Sequence, residues 1–179
     1  MKKIKLIGVL FIFFLTGCST NYTDLIRETD TYVNDIENEL SSATTCNKDI
    51  FGKTTEGGHV IAYFDKNLNL VKLFFEFFGE MGKVKEDVYI KNGIVVFEQN
   101  NLIQYDMPFY IEGYKEKTPV ISKYYFENGA LTYWLEGGRQ ISSRSKDFET
   151  KKSNLHDELA NLDLNSKNNN SYCTTNQEE

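Results

Sequence analysis

The sequence predicts an α+β domain built on an antiparallel β-meander of about six strands, flanked by an N-terminal and a C-terminal helix. Three observations favour this fold class. Hydrophobic residues recur every three to four positions from Tyr22 to Ser42, alternate with polar ones from His59 to Glu136, and return to helical spacing after Ser145. The 179 residues, of which 40% are hydrophobic, suffice for one compact domain but not for two.

The first element is an amphipathic helix from Tyr22 to Ser42. Thr23 is placed to act as its N-cap, with Asp24 in the first turn, and the helical period stops at Ser41. The residues of its less polar face are Leu25, Ile26, Thr29, Tyr32, Val33, Ile36 and Leu40. This stripe predicts a helix that packs along one side.

The middle of the chain predicts six strands, because aromatic and β-branched residues alternate between turn signals. The strand candidates are His59 to Phe64, Leu70 to Phe77, Asp87 to Ile90, Ile94 to Gln99, Ile121 to Phe126 and Ala130 to Glu136. Turns at 65–69, 91–93 and 127–129 join them in pairs. Two of these turns contain Asn-Gly, which adopts the positive φ of a tight hairpin at low cost. Three hairpins therefore make a meander.

The remaining elements are a bent connection, a second helix and a polar tail. Between the last two hairpins, Met107 to Tyr110 include a proline that interrupts strand pairing. A helix is predicted from Ser145 to Leu164, and residues 165–179 are rich in Asn and Ser. The predicted domain spans residues 23–164, with 165–179 as a flexible tail.

The N-terminus carries an export signal. Three lysines precede the apolar run Leu6 to Leu15, which is about half the length that a membrane-spanning helix needs. The run ends in Leu15-Thr16-Gly17-Cys18. This motif resembles the lipobox of bacterial lipoproteins, and the resemblance implies that 1–17 is a signal peptide, that Cys18 is lipidated and that 18–22 is a short tether. The alternative is an ordinary secretory signal in which a cysteine falls there by chance.

The resemblance implies a cellular location as well as a lipid anchor. Two or three acyl chains hold a protein on a bilayer effectively permanently. Ser19 after the cysteine, by resemblance to lipoproteins of two-membrane bacteria, implies an outer-membrane protein that faces the periplasm. Loss of the three lysines in 1–17 takes the formal charge from −6 to −9, which predicts that the body attracts neither anionic headgroups nor nucleic acids. The predicted partner is the membrane, through the N-terminal lipid.

Cys46 and Cys173 remain after Cys18 is assigned to the lipid. An exported protein lies in a compartment that permits disulfides, so a bridge between the two is expected. Two independent thiols are the alternative.

The sequence predicts no enzyme, no cofactor and no metal site. His59 and His156 are the only histidines, and they are far apart in the sequence. A strand edge explains His59 and a solvated helix face explains His156. Gly79 to Lys83 lacks the spacing of a phosphate loop and reads as a hairpin turn. Catalytic residues are therefore not assigned.

Aromatic density is the main functional signal. Leu73, Phe75 and Phe77 must lie on one face of their strand, with Phe74, Glu76 and Phe78 on the other. If both helices cover one face of the sheet, the other face exposes a binding surface that includes Tyr124, Phe126, Tyr133 and Trp134. If the sheet curls into a sandwich or half-barrel, these side chains are core. Both arrangements are open at this point.

The function expected from these features is a non-enzymatic envelope lipoprotein that binds an envelope protein, a glycan or a lipid. The alternative is an enzyme inhibitor or a hydrolytic enzyme of the periplasm, with a cleft near His59 and the Met107 to Tyr110 bend. The hairpins around Lys91-Asn92-Gly93 and Glu127-Asn128-Gly129 resemble each other. With Gly79 to Gly82, the stretch from about Phe74 to Glu136 also resembles small lipoproteins of Bacteroidetes-type bacteria, whose activity is not assigned.

Overall fold

A computed structural model describes residues 22–160 together with Leu162 and Tyr172. These residues form one eight-stranded antiparallel sheet in which every strand pairs with its neighbours in the sequence. The strands are β1 (Thr44–Ile50), β2 (Gly58–Phe64), β3 (Leu70–Gly79), β4 (Gly82–Lys91), β5 (Ile94–Gln104), β6 (Val120–Glu127), β7 (Ala130–Glu136) and β8 (Arg139–Gln140). The helices are α1 (Thr23–Glu39), followed by a 3₁₀ turn at Leu40–Ser42, and α2 (Lys146–Ala160).

The predicted α+β class and meander are confirmed, but the sheet has eight strands and not six. All six predicted strands are present, most of them longer than expected. The two additional strands are the edges. β1 was missed because its sequence TTCNKDI has no hydrophobic alternation, and β8 because it has only two residues. An edge strand has a neighbouring strand on one side only and is more exposed to solvent, so it needs fewer hydrophobic residues than a central strand.

Helix α1 begins at Thr23, the residue that the sequence predicts as its N-cap. Tyr22 is the N-cap, and its side chain makes no capping hydrogen bond. The expectation that Thr23 caps the helix is therefore wrong, because Thr23 is already the first helical residue. The half-buried Ile26, Val33 and Ile36 pack against a cluster that contains Tyr89 and Phe97. Tertiary packing of this stripe compensates for the weak cap.

Helix α2 packs on the opposite face of the sheet. Its N-terminus is capped by Ser145, whose Oγ accepts a hydrogen bond from the Phe148 backbone N–H at 3.1 Å. Phe148 and Leu155 insert into the larger hydrophobic core, where both are almost completely buried. The sheet is thus enclosed by one helix on each face, a third arrangement beside the two that the sequence left open.

The expected division of β3 is confirmed. Leu73 and Phe75 belong to the core under α2, and Phe77 packs against it. The opposite face of β3 carries Lys72, which is buried, and Phe74, which contacts the ring of His59. We call the two surfaces of the sheet the α2 side and the α1 side.

The β4–β5 and β6–β7 hairpins share their geometry as well as their sequence pattern. Both turns have an Asn with positive φ, +55° at Asn92 and +52° at Asn128. The register shifts between Tyr89 and Ile90 in one hairpin and between Tyr125 and Phe126 in the other, which are equivalent positions.

The two equivalent tyrosines attach α1 to the sheet. The Tyr89 hydroxyl donates to Glu37 at 2.6 Å, and the Tyr125 hydroxyl donates to Asp30 at 3.1 Å. The two acceptors are seven residues apart, which is about two helical turns. The repeated hairpin thus matches the period of the helix that lies on it.

The two ends of the sheet differ because the turns of a meander alternate between them. The turns at 65–69, 91–93 and 127–129 form one end, which we call the proximal end. Helix α1 lies along it, since a groove of about 430 Å³ is lined by Tyr22, Leu25, Lys91 and Asn128. The loops at 51–57, 80–81, 105–119 and 137–138 form the other end, which we call the distal end. Within the described residues, no helix is long and apolar enough to cross a membrane.

Candidate functional site

The four aromatic residues predicted to form a binding face do not form an exposed surface. Tyr124, Phe126 and Trp134 are buried in the core on the α2 side. Tyr133 lies on the other side, half-buried beside the ring of Tyr125. The prediction of one exposed face at these residues is wrong because each side of the sheet has its own helix.

The three cysteines are only partly described. Cys46 is disulfide-bonded, and its partner lies outside the described residues, as do Cys18 and Cys173. The Cys46 side chain packs against the core on the α2 side. Tyr172, the residue before Cys173, is buried in that same core.

The two histidines occupy different surroundings. His59 Nε2 lies 3.8 Å from a Glu76 carboxylate oxygen, and its ring contacts those of Phe74 and Phe78. His156 is exposed on α2. No group of three or more His, Cys, Asp or Glu in the described part of the chain is arranged to hold a metal ion.

Exposed hydrophobic side chains are concentrated at the distal end. Among the described residues, ten of the twelve large hydrophobic side chains that are exposed lie at or next to it, and only Leu68 and Ile94 lie at the proximal end. We call these ten residues the distal surface: Phe51, Phe78, Met81, Leu102, Phe109, Tyr110, Ile111, Tyr114, Val120 and Ile121. Phe51 and Tyr110 are the most exposed, at 83% and 66%. Apolar patches of this kind mark interaction sites more often than chance.

The long loop of the distal surface is held in place by defined hydrogen bonds. The Phe109 backbone N–H donates to the Glu80 carbonyl at 3.0 Å, and the Tyr105 N–H donates to the Met81 carbonyl at 2.8 Å. The Asp106 carboxylate accepts the Lys115 N–H at 2.8 Å. The Tyr110 hydroxyl donates to Glu80, and this bond raises the pKa of the tyrosine. The loop therefore presents its aromatic side chains from a fixed backbone.

A buried cation on the α1 side has a complete set of partners. The ammonium of Lys72 donates to Glu37 at 2.7 Å and to Asp87 at 2.8 Å, and it lies over the ring of Tyr89. These contacts raise the lysine pKa against the effect of burial and lower the pKa of Glu37. This cluster is a satisfied attachment between α1 and the sheet.

A group of carboxyls on the α2 side is less well satisfied. Glu98 is 1% exposed, and its Oε2 has no hydrogen-bond partner among the described residues. Burial and the neighbouring Glu86 raise the pKa of Glu98 to about 8. Burial and Glu158 of α2 raise the pKa of Glu86. Lys151 of α2, whose ammonium lies over the Tyr124 ring, opposes both shifts.

Glu86 and Glu158 line a cavity of about 220 Å³ between the sheet and the C-terminal half of α2. We call it the acidic pocket. Its apolar lining comes from Phe75, Phe77, Val84, Leu159 and Leu162, and Lys53 and Thr54 complete it. Carboxyls with raised pKa values beside a cavity can bind a cation, donate a hydrogen bond or transfer a proton.

The acidic pocket is not predicted from the sequence, although one residue of its lining breaks the hydrophobic alternation of β4. Val84, Glu86 and Val88 alternate on one face of β4, so a carboxyl stands where the pattern predicts a hydrophobic residue. Glu98 gave no such signal. The register shift beside Ile90 leaves Val96 as an extra residue, which moves Glu98 to the core side.

Comparisons with protein families, with curated proteins and with solved structures find no match for this chain.

Proposed function

We propose that this chain is a lipid-anchored lipoprotein of the bacterial envelope and a non-enzymatic binding module that engages a protein partner through the distal surface. The observation that carries the proposal is the position of the ten exposed hydrophobic side chains, at the end of the sheet away from the start of α1. The lipobox-like motif at Leu15 to Cys18 supports the anchor.

The tether would orient the domain on its membrane. Cys18 precedes Tyr22 by four residues, which span at most about 14 Å. Tyr22 contacts Tyr133 and lines the groove at the proximal end. Strands β3 to β5 have 10 or 11 residues and are about 33 Å long. The anchoring bilayer therefore lies near the proximal end, and the distal surface faces the aqueous compartment.

A protein is the partner that suits this surface. Small ligands bind in concave sites, whereas the side chains of Phe51 and Tyr110 protrude. Protruding aromatic residues fill pockets that a folded partner supplies, and they often carry most of the binding energy. A glycan or a lipid of another membrane is the outcome that the test must separate from this one.

The cysteines fit the same proposal. Cys46 is disulfide-bonded, and the burial of Tyr172 in the core that contacts Cys46 favours Cys173 as its partner. A 46–173 bridge leaves Cys18 as the odd cysteine, free to accept the lipid. Mass spectrometry of the native protein should find acyl chains on Cys18 and a peptide that links Cys46 to Cys173.

Site-specific photocrosslinking in the producing cell tests the binding surface. A photoreactive phenylalanine at Tyr110 should give one discrete protein adduct, and the same residue at Ile94 of the proximal end should not. Phe109→Ser should remove the adduct. Adducts of equal yield at both positions, or adducts with lipid or glycan only, would contradict a protein partner at the distal surface.

The alternative of an enzyme inhibitor or a periplasmic hydrolase has its own test. Replacing His59 and His156 together by Gln should leave the cellular phenotype unchanged if the chain is a binding module without histidine chemistry. Loss of the phenotype in a variant that keeps its thermal stability would favour the enzyme.

A further inference from the structure

The acidic pocket combines an aromatic surface with two carboxyl groups, those of Glu86 and Glu158. The rings of Phe75 and Phe77 stack with their centroids 5.8 Å apart and their planes within 8° of parallel. Lys53 places its ammonium 5.6 Å from the centroid of the Phe77 ring. The pocket thus already holds an alkylammonium group against its aromatic surface, in the geometry of a cation–π contact.

The carboxyl groups around the pocket outnumber the cations. Glu86 and Glu158 line it, and Glu98 projects from the neighbouring strand on the same side of the sheet. Glu98 is fully buried, and its second carboxyl oxygen lacks a hydrogen-bond partner among the described residues. The cations facing these three carboxyls are Lys151 and Lys53, each of which lies over an aromatic ring. Fully ionised, the three carboxyls would exceed these two cations by one charge, and retained protons make up the difference, so a bound cation can take the place of a proton.

We propose that the acidic pocket binds a primary ammonium group carried on an aliphatic chain. The ammonium would lie between the carboxylates of Glu86 and Glu158, and the methylene groups would pack on Phe75 and Phe77. The cavity of about 220 Å³ is many times larger than the roughly 10 to 15 Å³ that one water molecule needs, so it has room for a short aliphatic chain. This site is separate from the distal surface, so either proposal can fail without the other.

Proton linkage gives the proposal a distinctive signature. Burial and mutual repulsion hold protons on Glu86 and Glu98, and a bound ammonium would favour their ionised forms. Binding should therefore release protons, and affinity should rise as the pH rises from 5.5 to 7.5. The groups that face these carboxyls are Lys53 from the β1–β2 loop, Asp87 from β4, Tyr124 from β6, and Lys151 and Glu158 from α2.

Isothermal titration calorimetry on the purified full-length lipidated protein, in a non-ionic detergent, tests the pocket. The probes are 1,5-diaminopentane and Nα-acetyl-lysine methylamide, with 1-pentanol as the uncharged control. We expect saturable binding of one molecule, at least threefold tighter at pH 7.5 than at pH 5.5, with proton release measured in two buffers of different ionisation enthalpy. Binding of the diamine alone assigns a free amine, and binding of the lysine derivative alone assigns a protein side chain.

Matched variants separate a pocket from general attraction to an acidic protein. Glu158→Gln should weaken binding at least tenfold, and Glu149→Gln, nine residues earlier on α2, should leave it unchanged. Lys53→Gln should tighten binding about threefold, because it removes the ammonium that occupies the Phe77 ring, whereas Lys152→Gln should not. Glu86→Gln provides a second test from the sheet, with thermal melting to confirm folding. Absence of binding, equal binding of 1-pentanol, or equal effects of Glu158→Gln and Glu149→Gln would overturn the proposal.

Discussion

The two sides of the sheet bury charge in opposite ways. On the α1 side, the buried Lys72 has two carboxylates within 2.8 Å and aromatic rings around it. On the α2 side, the buried Glu98 keeps an oxygen without a described hydrogen-bond partner, and the neighbouring charge that raises its pKa most is another carboxyl, Glu86. A satisfied charge is an attachment between elements, whereas a poorly satisfied one costs stability and is retained where a function needs it.

The two helices also attach to the sheet in different ways, α1 through polar contacts and α2 through apolar packing. Helix α1 is joined to the sheet by hydroxyl and ammonium contacts at Asp30 and Glu37, beside a small aromatic cluster. Helix α2 contributes Phe148 and Leu155 to the larger core. The α1 side therefore depends on polar geometry, and the α2 side depends on apolar packing that also holds the carboxyls in place.

Removal of an apolar anchor should have the largest effect. Phe148→Ala leaves a cavity under α2 and should lower the free energy of unfolding by about 4 kcal/mol. Ile36→Ala, on the half-buried stripe of α1, should cost about 1 to 2 kcal/mol, because part of that side chain is in water already. Urea denaturation followed by circular dichroism measures both losses. Equal losses would contradict the view that α2 carries the larger share of apolar packing.

Removal of the buried cation should come next. Lys72→Met leaves Glu37 and Asp87 without their shared partner and should lower the free energy of unfolding by about 3 kcal/mol. Lys83→Met breaks a pair with Glu116 that has a similar distance, 2.8 Å, but greater exposure, and should cost less than about 1 kcal/mol. Equal losses in the two variants would contradict the expectation that burial determines how much an ion pair contributes to the free energy of unfolding.

Features that depend on residues close together in the sequence could be predicted, whereas features that depend on contacts between distant segments could not. The Asn-Gly turns and the alternation of β3 are local, so the hairpins and the division of Leu73 from Phe74 follow from short windows of sequence. The choice of side for each helix is not local. It depends on long-range packing, so the sequence leaves open whether Tyr124 and Trp134 lie in the core or on a binding surface, and the structure places both in the core.

The candidate sites show the same limit. The hydrophobic loop around Phe109 was visible as an aromatic bend, but its clustering with Phe51 and Met81 depends on which turns share an end of the sheet. The acidic pocket joins β4 to a helix more than 60 residues later, and a register shift places Glu98 on the same side of the sheet. Neither relation is encoded in residue spacing alone.

Neutralising the buried carboxyl should stabilise the protein in a pH-dependent way. The pKa of Glu98 is raised from 4.5 to about 8, so the folded state holds its proton after the unfolded state has lost it. The free energy of unfolding should therefore fall as the pH rises from about 5 to 8, by at most about 1.4 kcal/mol per unit. Glu98→Gln should reduce that slope, to which Glu86 also contributes because its pKa is raised as well, and should gain about 2 kcal/mol at pH 7.

Denaturant titrations at pH 5 and pH 7.5 measure this effect. Glu112→Gln, at an exposed position of the distal loop, is the control and should follow the unmodified protein at both values. A Glu98→Gln variant that loses stability at pH 7.5 would show that the carboxyl is well satisfied, and the two sides of the sheet would then treat charge alike.

The smallest effect should come from single hydroxyls on the α1 side. Tyr125→Phe removes the bond to Asp30 and should cost about 1 kcal/mol, and Tyr89→Phe should cost slightly more because its acceptor Glu37 also partners Lys72. Tyr133→Phe, on the same side, is the control and should change stability by less than about 0.5 kcal/mol.

Burial and the facing carboxylates raise the pKa of both Tyr89 and Tyr125, so both hydroxyls stay protonated and the losses should be constant from pH 6 to 9. Since the two tyrosines are at equivalent positions of the repeated hairpin and their acceptors are two turns apart on α1, the double variant should lose the sum of the single losses. A sum that falls short would mean that α1 detaches as one unit once either bond is lost.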